Sequence, residues 1–558
     1  MIRRLELVAV LLTLAVGAAP AGALDLKLPP GAQNAAKVID RGALEGTVRF
    51  LADDLLEGRA PAHRGDVLAR LYVAGAMDLL GLRPAGPGGS WEQRFEIVGI
   101  TTTPPESWAF RTGAKELSLG FWKEFIAASG VQAPEATISD AELVFVGYGI
   151  QAPEYGWDDF KGADLKGKVL LMMNNDPDWD PSLFAGHRRL YYGRWTYKYE
   201  SAARAGAAGA IIIHTTPSAG YGWKVVQNSW TGEQFELPAA GEPRLQVRAW
   251  TTEEATRRLV ALAGFDLDRL VAQARSRDFT PVPLGIRTSL KLVSTLTHGE
   301  TANVLGEIPG SDPVLKDQAV VFSAHHDHLG IGKPDAKGDT IYNGALDNAT
   351  GVAQVVAIAK AFAALPQRPR RTILFAIVSC EESGLLGSAY FAAHPTVPVE
   401  KIVADINFDA GNIFGKTHDV ALVGKGKSTL DQVAEAVAAL QGRVITDEPF
   451  PDRGAYYRSD QFSLAKVGVP SLYFKGGLDY IGREPGWGKK VNEEWGNLHY
   501  HQPSDEYSPS WNFDGMIEDT QLGFLAGLAV AQADQMPTWF PGDEFAKLRA
   551  PATVSAPR

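Results

Sequence analysis

The stretch Val320-Val321-Phe322-Ser323-Ala324-His325-His326-Asp327-His328-Leu329-Gly330 decides the fold. A short apolar run over 318–324 stops abruptly at a cluster of histidines around an aspartate. Such a run reads as a strand buried on both faces. The pattern recurs downstream. An apolar run over 372–379 ends in Ser379-Cys380-Glu381-Glu382-Ser383-Gly384, and one over 402–408 ends in Asn407-Phe408-Asp409-Ala410-Gly411. Helical segments lie between and beyond these runs, over 348–365 with Asn348 or Thr350 as the cap, and over 429–440. Shorter apolar runs follow over 420–423 and 470–474. Near-continuous apolar strands separated by helices predict an α/β domain with a mostly parallel central sheet and helices on both faces. In such sheets ligands bind beyond the C-terminal ends of the strands.

That is where the acidic and imidazole groups fall. Two further segments join them: Asn343-Gly344-Ala345-Leu346-Asp347-Asn348 at the mouth of the first helix, and His499-Tyr500-His501-Gln502-Pro503-Ser504-Asp505 far downstream. Charged groups gathered at strand ends need partners. A divalent metal supplies them, and zinc accepts imidazole nitrogen and carboxylate oxygen alike. Two metals about 3.5–4 Å apart need a bridging carboxylate and further ligands on each side. The set at hand provides this, with one glutamate to spare. In the Glu381-Glu382 pair, adjacent side chains at a strand end point different ways, so one can ligate while the other acts as base. Asp327, two residues from His325, can accept the N–H of a ligating imidazole.

Taken together these motifs resemble the co-catalytic zinc aminopeptidase family of the bacterial leucyl aminopeptidase type, whose fold is shared by glutamate carboxypeptidase, the glutaminyl cyclases and the transferrin receptor ectodomain. The resemblance implies a zinc exopeptidase fold, two zinc ions and a peptide substrate. It implies His325 and Asp409 as ligands of the first metal, Asp347 as the bridge, and Glu382 and His501 as ligands of the second. It makes Glu381 the catalytic base and Asp327 the partner of His325. Tyr456, in Tyr456-Tyr457-Arg458-Ser459-Asp460-Gln461, falls on a position whose tyrosine helps hold the oxyanion, with Tyr457 a close competitor. Gln461 replaces a common histidine there. His326, His328 and His499 fall off the ligand positions and read as pocket or loop residues.

Outward from the site, the 558 residues exceed one hydrophobic core. Residues 1–23 read as a signal peptide: Arg3 and Arg4, an apolar stretch over 7–16, and Ala21-Gly22-Ala23. That predicts export to a periplasmic or extracellular location. Residues 24–136 lead into the peptidase domain. Residues 137–290, with Val146-Gly147-Tyr148-Gly149 and Ala205-Gly206-Ala207-Ala208-Gly209-Ala210, resemble an inserted protease-associated domain and read as non-catalytic. Residues 291–545 form the catalytic domain and 546–558 a flexible tail. A net charge of -11 argues against nucleic acid as a partner. A single cysteine, Cys380, excludes an internal disulfide and a thiolate metal site. The reading is therefore a zinc-dependent exopeptidase, foremost an aminopeptidase. A carboxypeptidase or glutaminyl cyclase-like acyltransferase on the same fold, and a receptor-like binding protein, are the alternatives. Residue preference and oligomeric state are not encoded in these motifs.

Overall fold

A computed structural model describes residues 26–549. The segment 1–23 read as a signal lies outside those residues, as does 550–558 of the expected tail.

Three strands, Thr372–Val378, Ala319–His325 and Ile402–Asn407, lie parallel with Ala319–His325 in the middle. Every residue of the three is buried, which is why their sequences are apolar without alternation. Ser471–Gly476 continues the parallel set beyond Ile402–Asn407. Asp419–Leu422 then pairs antiparallel, with Val444–Asp447 parallel to it. On the other side Val282–Ile308 runs antiparallel to Thr372–Val378, and Glu92–Thr103 antiparallel to that. The expected α/β architecture stands: a large, mostly parallel central sheet with helices on both faces.

One face of the sheet packs Val320, Phe322, Ile373, Phe375 and Ile406 against helices Arg41–Leu51, Thr350–Ala363, Leu430–Leu440 and Asp514–Gln532. The other packs Val321, Leu374 and Ala376 against Leu386–Ala393 and Gln461–Ala465. Each fully buried Leu, Ile, Val or Phe contributes roughly 1.5–3 kcal/mol. The two-sided packing pins the register, so the three parallel strands end at a common level: His325 lies beside Val378, and Ser323 beside Asn407. Asn348 lies just ahead of the helix Thr350–Ala363, its Oδ1 accepting from the Gly351 amide at 2.8 Å.

A second core lies in the other half. Val169–Met173, Gly209–His214 and Val247–Thr252 form a parallel set, closed by Phe125–Ser129 antiparallel to Val247–Thr252. Its packing corrects the expected boundaries. Trp108, Phe110, Leu119 and Phe125 belong to this core, so the insert takes in residues assigned to the lead-in 24–136. At the other border, 290 falls inside one 27-residue strand, Val282–Ile308. That strand pairs with Glu135–Phe145 of the insert at one end and with Thr372–Val378 of the central sheet at the other. The halves therefore share a backbone ladder. The small-residue segment near 202–210 divides between a helix and a strand. The helix is Trp195–Arg204, Gly206 turns with φ 72°, and Gly209–His214 is already strand.

The start of the expected tail is packed: the Arg549 guanidinium donates to the Ile402 carbonyl at 2.7 Å. Among the described residues no helix is long and apolar enough to cross a membrane.

Candidate metal centre

The shared level of the strand ends gathers the charged groups. His325 ends its strand, Glu381 and Glu382 follow Thr372–Val378 across a two-residue turn, and Asp409 follows Ile402–Asn407. His325 Nε2 lies 3.3 Å from Asp347 Oδ1, 3.8 Å from Asp409 Oδ1 and 4.0 Å from Glu381 Oε2. On the other side of Asp347, His501 Nε2 lies 3.4 Å from Asp347 Oδ2 and 3.1 Å from Glu382 Oε2. One carboxylate thus faces two imidazoles, an oxygen to each.

The backbone is bent to make this possible. Cys380, Ala410 and His501 hold left-handed φ angles of 59°, 65° and 55°. Each adjoins or is a site residue, and each non-glycine in that region costs on the order of 1–3 kcal/mol. Gly344, at φ 58°, is required: a Cβ there would sit 2.3 Å from the Asp347 carbonyl oxygen and 2.5 Å from the His328 ring. The Asp347–Asn348 peptide is cis.

Asp327 holds the segment that follows the second strand. Its Oδ1 accepts from the Glu381 amide at 3.1 Å and its Oδ2 from the Glu382 amide at 3.3 Å. Its Oδ1 also lies 3.7 Å from His325 Nδ1, while that nitrogen is nearer its carbonyl oxygen, at 3.2 Å. So Asp327 orients both the imidazole and the glutamate pair.

Several further groups complete the site. Asp505 accepts from the Leu346 and Asp347 amides at 2.8 and 3.1 Å and fixes the Asp347 turn. The buried Arg59 donates to the carbonyls of His326, Asn343 and Gly344 at 2.7, 2.5 and 2.9 Å, tying two site loops together. His326 turns away and pairs with buried Asp66 at 2.9 Å. His328, expected as a pocket or loop residue, lies in the site: its Nδ1 is 2.6 Å from Glu382 Oε1. His328, Asp347 and Glu382 form one group able to hold a cation, and His325, Asp347 and Asp409 another. Glu382 therefore meets His501 on one oxygen and His328 on the other.

Two expectations need correction. The Tyr456 hydroxyl bonds Ser471 Oγ at 3.1 Å, and its ring packs among Tyr457, Phe545 and Trp539. Its place beside the metal-ligating type residues is taken by Arg458, Tyr473 and Tyr500, which line the same cavity as Asp347, Glu381 and Asp409. Tyr457 also points elsewhere, to Glu544. The reason is the C-terminal segment, whose Trp539 and Phe545 draw both tyrosines into an aromatic cluster. Nor is the insert remote from the chemistry. Ser229 Oγ lies 2.6 Å from His501 Nδ1, and the Asn228 amide donates to the His501 carbonyl at 2.9 Å.

The charge balance tests whether a metal fits. Among the described residues, no carboxylate oxygen of Asp347, Glu381, Glu382 or Asp409 has a lysine or arginine nitrogen within 4.0 Å, and their close partners are imidazoles. The Lys475 ammonium donates to the Asp409 backbone carbonyl and, against burial, helps hold that carboxyl down. His325 Nε2, His328 Nε2 and His501 Nε2 are buried with no hydrogen-bond partner. Burial pushes the Glu381 carboxyl well up, Glu382 adding to the rise against the pull of His325. Against burial, His325 and His501 hold Asp347 well below the usual carboxylate range. Likewise, against burial, His501 and His328 hold Glu382 down to about 2. His501 itself, despite burial, rises to about 9 beside Glu382 and Asp347. Buried carboxylates facing orphaned imidazole nitrogens are the donor set of a zinc-type cation.

Residues 303–525 match the sequence model of Peptidase family M28. The vacuolar membrane protease of Saccharomyces cerevisiae (strain RM11-1a) is 25% identical over 253 residues, 44% of this chain and 22% of that protein. The vacuolar membrane protease of Meyerozyma guilliermondii is 36% identical over 103 residues, 18% of this chain and 9% of that protein. The chain thus spans less than a quarter of the length of these curated relatives. An aminopeptidase from Aneurinibacillus sp. strain AM-1 has the same fold, with a TM-score of 0.52 and 20% identity over 90% of this chain and 96% of that one. The resemblance read from the sequence is supported: residues 303–525 are similar to Peptidase family M28, and the chain shares the fold of a solved aminopeptidase. The expected periplasmic or extracellular location is corrected by the curated relatives, which are named for the vacuolar membrane of yeasts.

Proposed function

We propose that this chain is a zinc-dependent exopeptidase, an aminopeptidase, working with two metal ions. The observation that carries the reading is Asp347, whose two oxygens face His325 at 3.3 Å and His501 at 3.4 Å. His325, Asp347 and Asp409 would hold one ion, and Asp347, Glu382 and His501 the other. Zinc at these positions supplies Lewis-acid activation of the scissile carbonyl and of water.

The protein's own groups do the rest. Glu381 takes the proton from the attacking water at a side-chain oxygen and returns it to the leaving amine. Asp327 keeps Glu381 and Glu382 in place through their amides. Arg458 and Tyr500, joined at 3.2 Å, offer the positive charge and hydroxyl on the rim of the cavity that Tyr456 does not reach.

The test is release of N-terminal residues from a panel of aminoacyl-anilides and short peptides, with a chelator and after zinc is restored. Chelator-sensitive release that zinc restores supports the reading. Cleavage confined to N-blocked peptides, or cyclisation of N-terminal glutamine, overturns the aminopeptidase assignment. Metal analysis showing a single bound equivalent in active protein overturns the two-ion count.

A further inference from the structure

Arg194 and Arg458 stand in the seam between the insert and the catalytic half with no counter-charge of their own. Arg458 Nη2 donates to the Tyr500 hydroxyl at 3.2 Å, and its guanidinium lies 5.1 Å from the Tyr221 ring. Arg194 sits 5.6 Å from the Trp195 ring, and its Nε is buried without a hydrogen-bond partner. Among the described residues neither arginine has a carboxylate within 4.0 Å. Of the acids lining the cavity they share, Glu236 is paired with Arg244 and Arg248 and Glu200 with the Tyr191 hydroxyl at 2.7 Å. Glu381 and Glu382 belong to the metal centre, and against burial Tyr500, Tyr221 and Glu381 raise Arg458. Burial pushes the Arg194 guanidinium down to about 10, and Arg458 adds to the fall. Two confined cations with no carboxylate bonded to either are costly unless a ligand completes them.

Both line a cavity of about 190 Å³ with Tyr221, Glu381, Tyr500 and His501. A neighbouring cavity of about 300 Å³ shares Arg458, Tyr500 and Glu381 and is walled by Phe414, Phe450 and Trp495. Glu381 thus lies between a small cationic cavity and a larger aromatic one. Guanidinium forks bind carboxylates in pairs of parallel hydrogen bonds, which gives geometry as well as charge.

We propose that Arg194 and Arg458 bind the free α-carboxylate of a short peptide whose scissile bond lies at Glu381, with an apolar residue of that peptide in the aromatic cavity. The inference rests on the peptidase reading and adds a substrate class to it: short peptides with a free C-terminus. It also gives the insert a task, since Arg194 and Tyr221 come from it and the carboxylate subsite does not exist without it.

The shared chemistry is a peptide-borne carboxylate, and a side chain could bring one as well as a C-terminus. The experiment compares Leu-Phe with Leu-Phe-amide, and Leu-Glu-amide with Leu-Gln-amide, on the zinc-loaded full chain and on Arg194→Gln and Arg458→Lys. The wild type is expected to use Leu-Phe at least about tenfold better than its amide, through KM, as for loss of a charge-assisted bidentate contact. Arg194→Gln is expected to bring that ratio to within about twofold, and Arg458→Lys, which keeps the charge but not the fork, to lower it roughly threefold. Equal use of acid and amide, with both cleaved, overturns the subsite and leaves the peptidase reading intact. A preference for Leu-Glu-amide without one for Leu-Phe overturns the α-carboxylate assignment in favour of an acidic side chain. If no peptide is cleaved, the peptidase reading has failed, and calorimetry with phenylalanine against phenylalaninamide decides the subsite alone. Acid-selective binding that Arg194→Gln abolishes upholds it, and equal binding overturns it.

Discussion

Two buried charged clusters in this chain stand in opposite states of completion. In the insert, Lys198 is fully buried and its Nζ donates to the carbonyls of Tyr148 and Asn175 at 2.5 and 2.8 Å. Asp159 beside it accepts from the Ile150 amide and the Trp157 indole, both at 2.9 Å, and Asp176 accepts from the Leu190 amide at 2.9 Å. At the strand ends of the catalytic half, four acids converge on imidazoles whose Nε2 atoms have no partner. The first cluster is closed by its own backbone and holds a loop system together. The second leaves directed atoms open, and open atoms in a buried setting mark the place where a ligand belongs.

The sharpest way to break this contrast is at Glu381. Glu381→Gln keeps the shape and removes the base, so kcat should fall by about 10²–10⁴-fold. Metal content should be unchanged, because Glu381 is not among the residues expected to ligate. Steady-state kinetics with elemental analysis checks both, and near-normal turnover in this variant would end the proposed mechanism. The closed cluster should respond in the opposite sense. Lys198→Met leaves the Tyr148 and Asn175 carbonyls without their donor and should cost roughly 1–3 kcal/mol of stability for each, read by urea denaturation, with kcat/KM little changed in the protein that remains folded. A large loss of activity with full stability would show that the insert cluster is not merely architectural.

Between the extremes lies the joint of the two regions. Ser229 of the insert bonds His501 Nδ1 at 2.6 Å and fixes the ring that faces Glu382 and Asp347. Ser229→Ala should weaken metal affinity by about tenfold, the lower end of what loss of such a supporting contact costs. Titration of the metal-free protein with zinc, read by a competing chelator, measures it. Unchanged affinity would return the insert to the non-catalytic role its sequence suggested.

That expectation shows what the sequence could and could not disclose. The strand ends were legible because two-sided burial demands uninterrupted apolar runs, so a charge that follows one stands out. His325, Glu381, Glu382 and Asp409 are all of that kind. Asp347 was legible through the helix that Asn348 precedes. Arg59 and Ser229 were not, since each acts across a large sequence separation through a backbone group or a ring nitrogen. No local pattern marks such a residue. Tyr456 failed for a related reason: its hydroxyl is directed by Ser471 and its ring by Phe545, both outside the motif that suggested it. The insert's border was hidden because one strand of 27 residues serves both halves without a change of texture.

A third buried carboxyl, Asp405, refines the comparison at the smallest scale. It lies in the central strand Ile402–Asn407, fully buried, with Oδ1 accepting from Ser323 Oγ at 2.8 Å and Oδ2 unpartnered. Half satisfied, it resembles the open cluster, but a proton rather than a metal completes it. Burial pushes it up to about 8. The folded state therefore holds this proton in a range where the unfolded chain, near 3.8, has released it. Stability from this group is fully present below the unfolded value and declines as pH rises toward about 8. Within that window the slope should approach about 1 kcal/mol per pH unit, close to the limit for one proton. Asp405→Asn carries the same shape with no proton to lose, so its stability curve should run flatter than the wild type's from pH 5 to 7 by roughly that slope. Parallel curves for the two proteins would mean that Asp405 is ionised in the sheet, and that a half-satisfied buried carboxylate can persist there without either proton or metal.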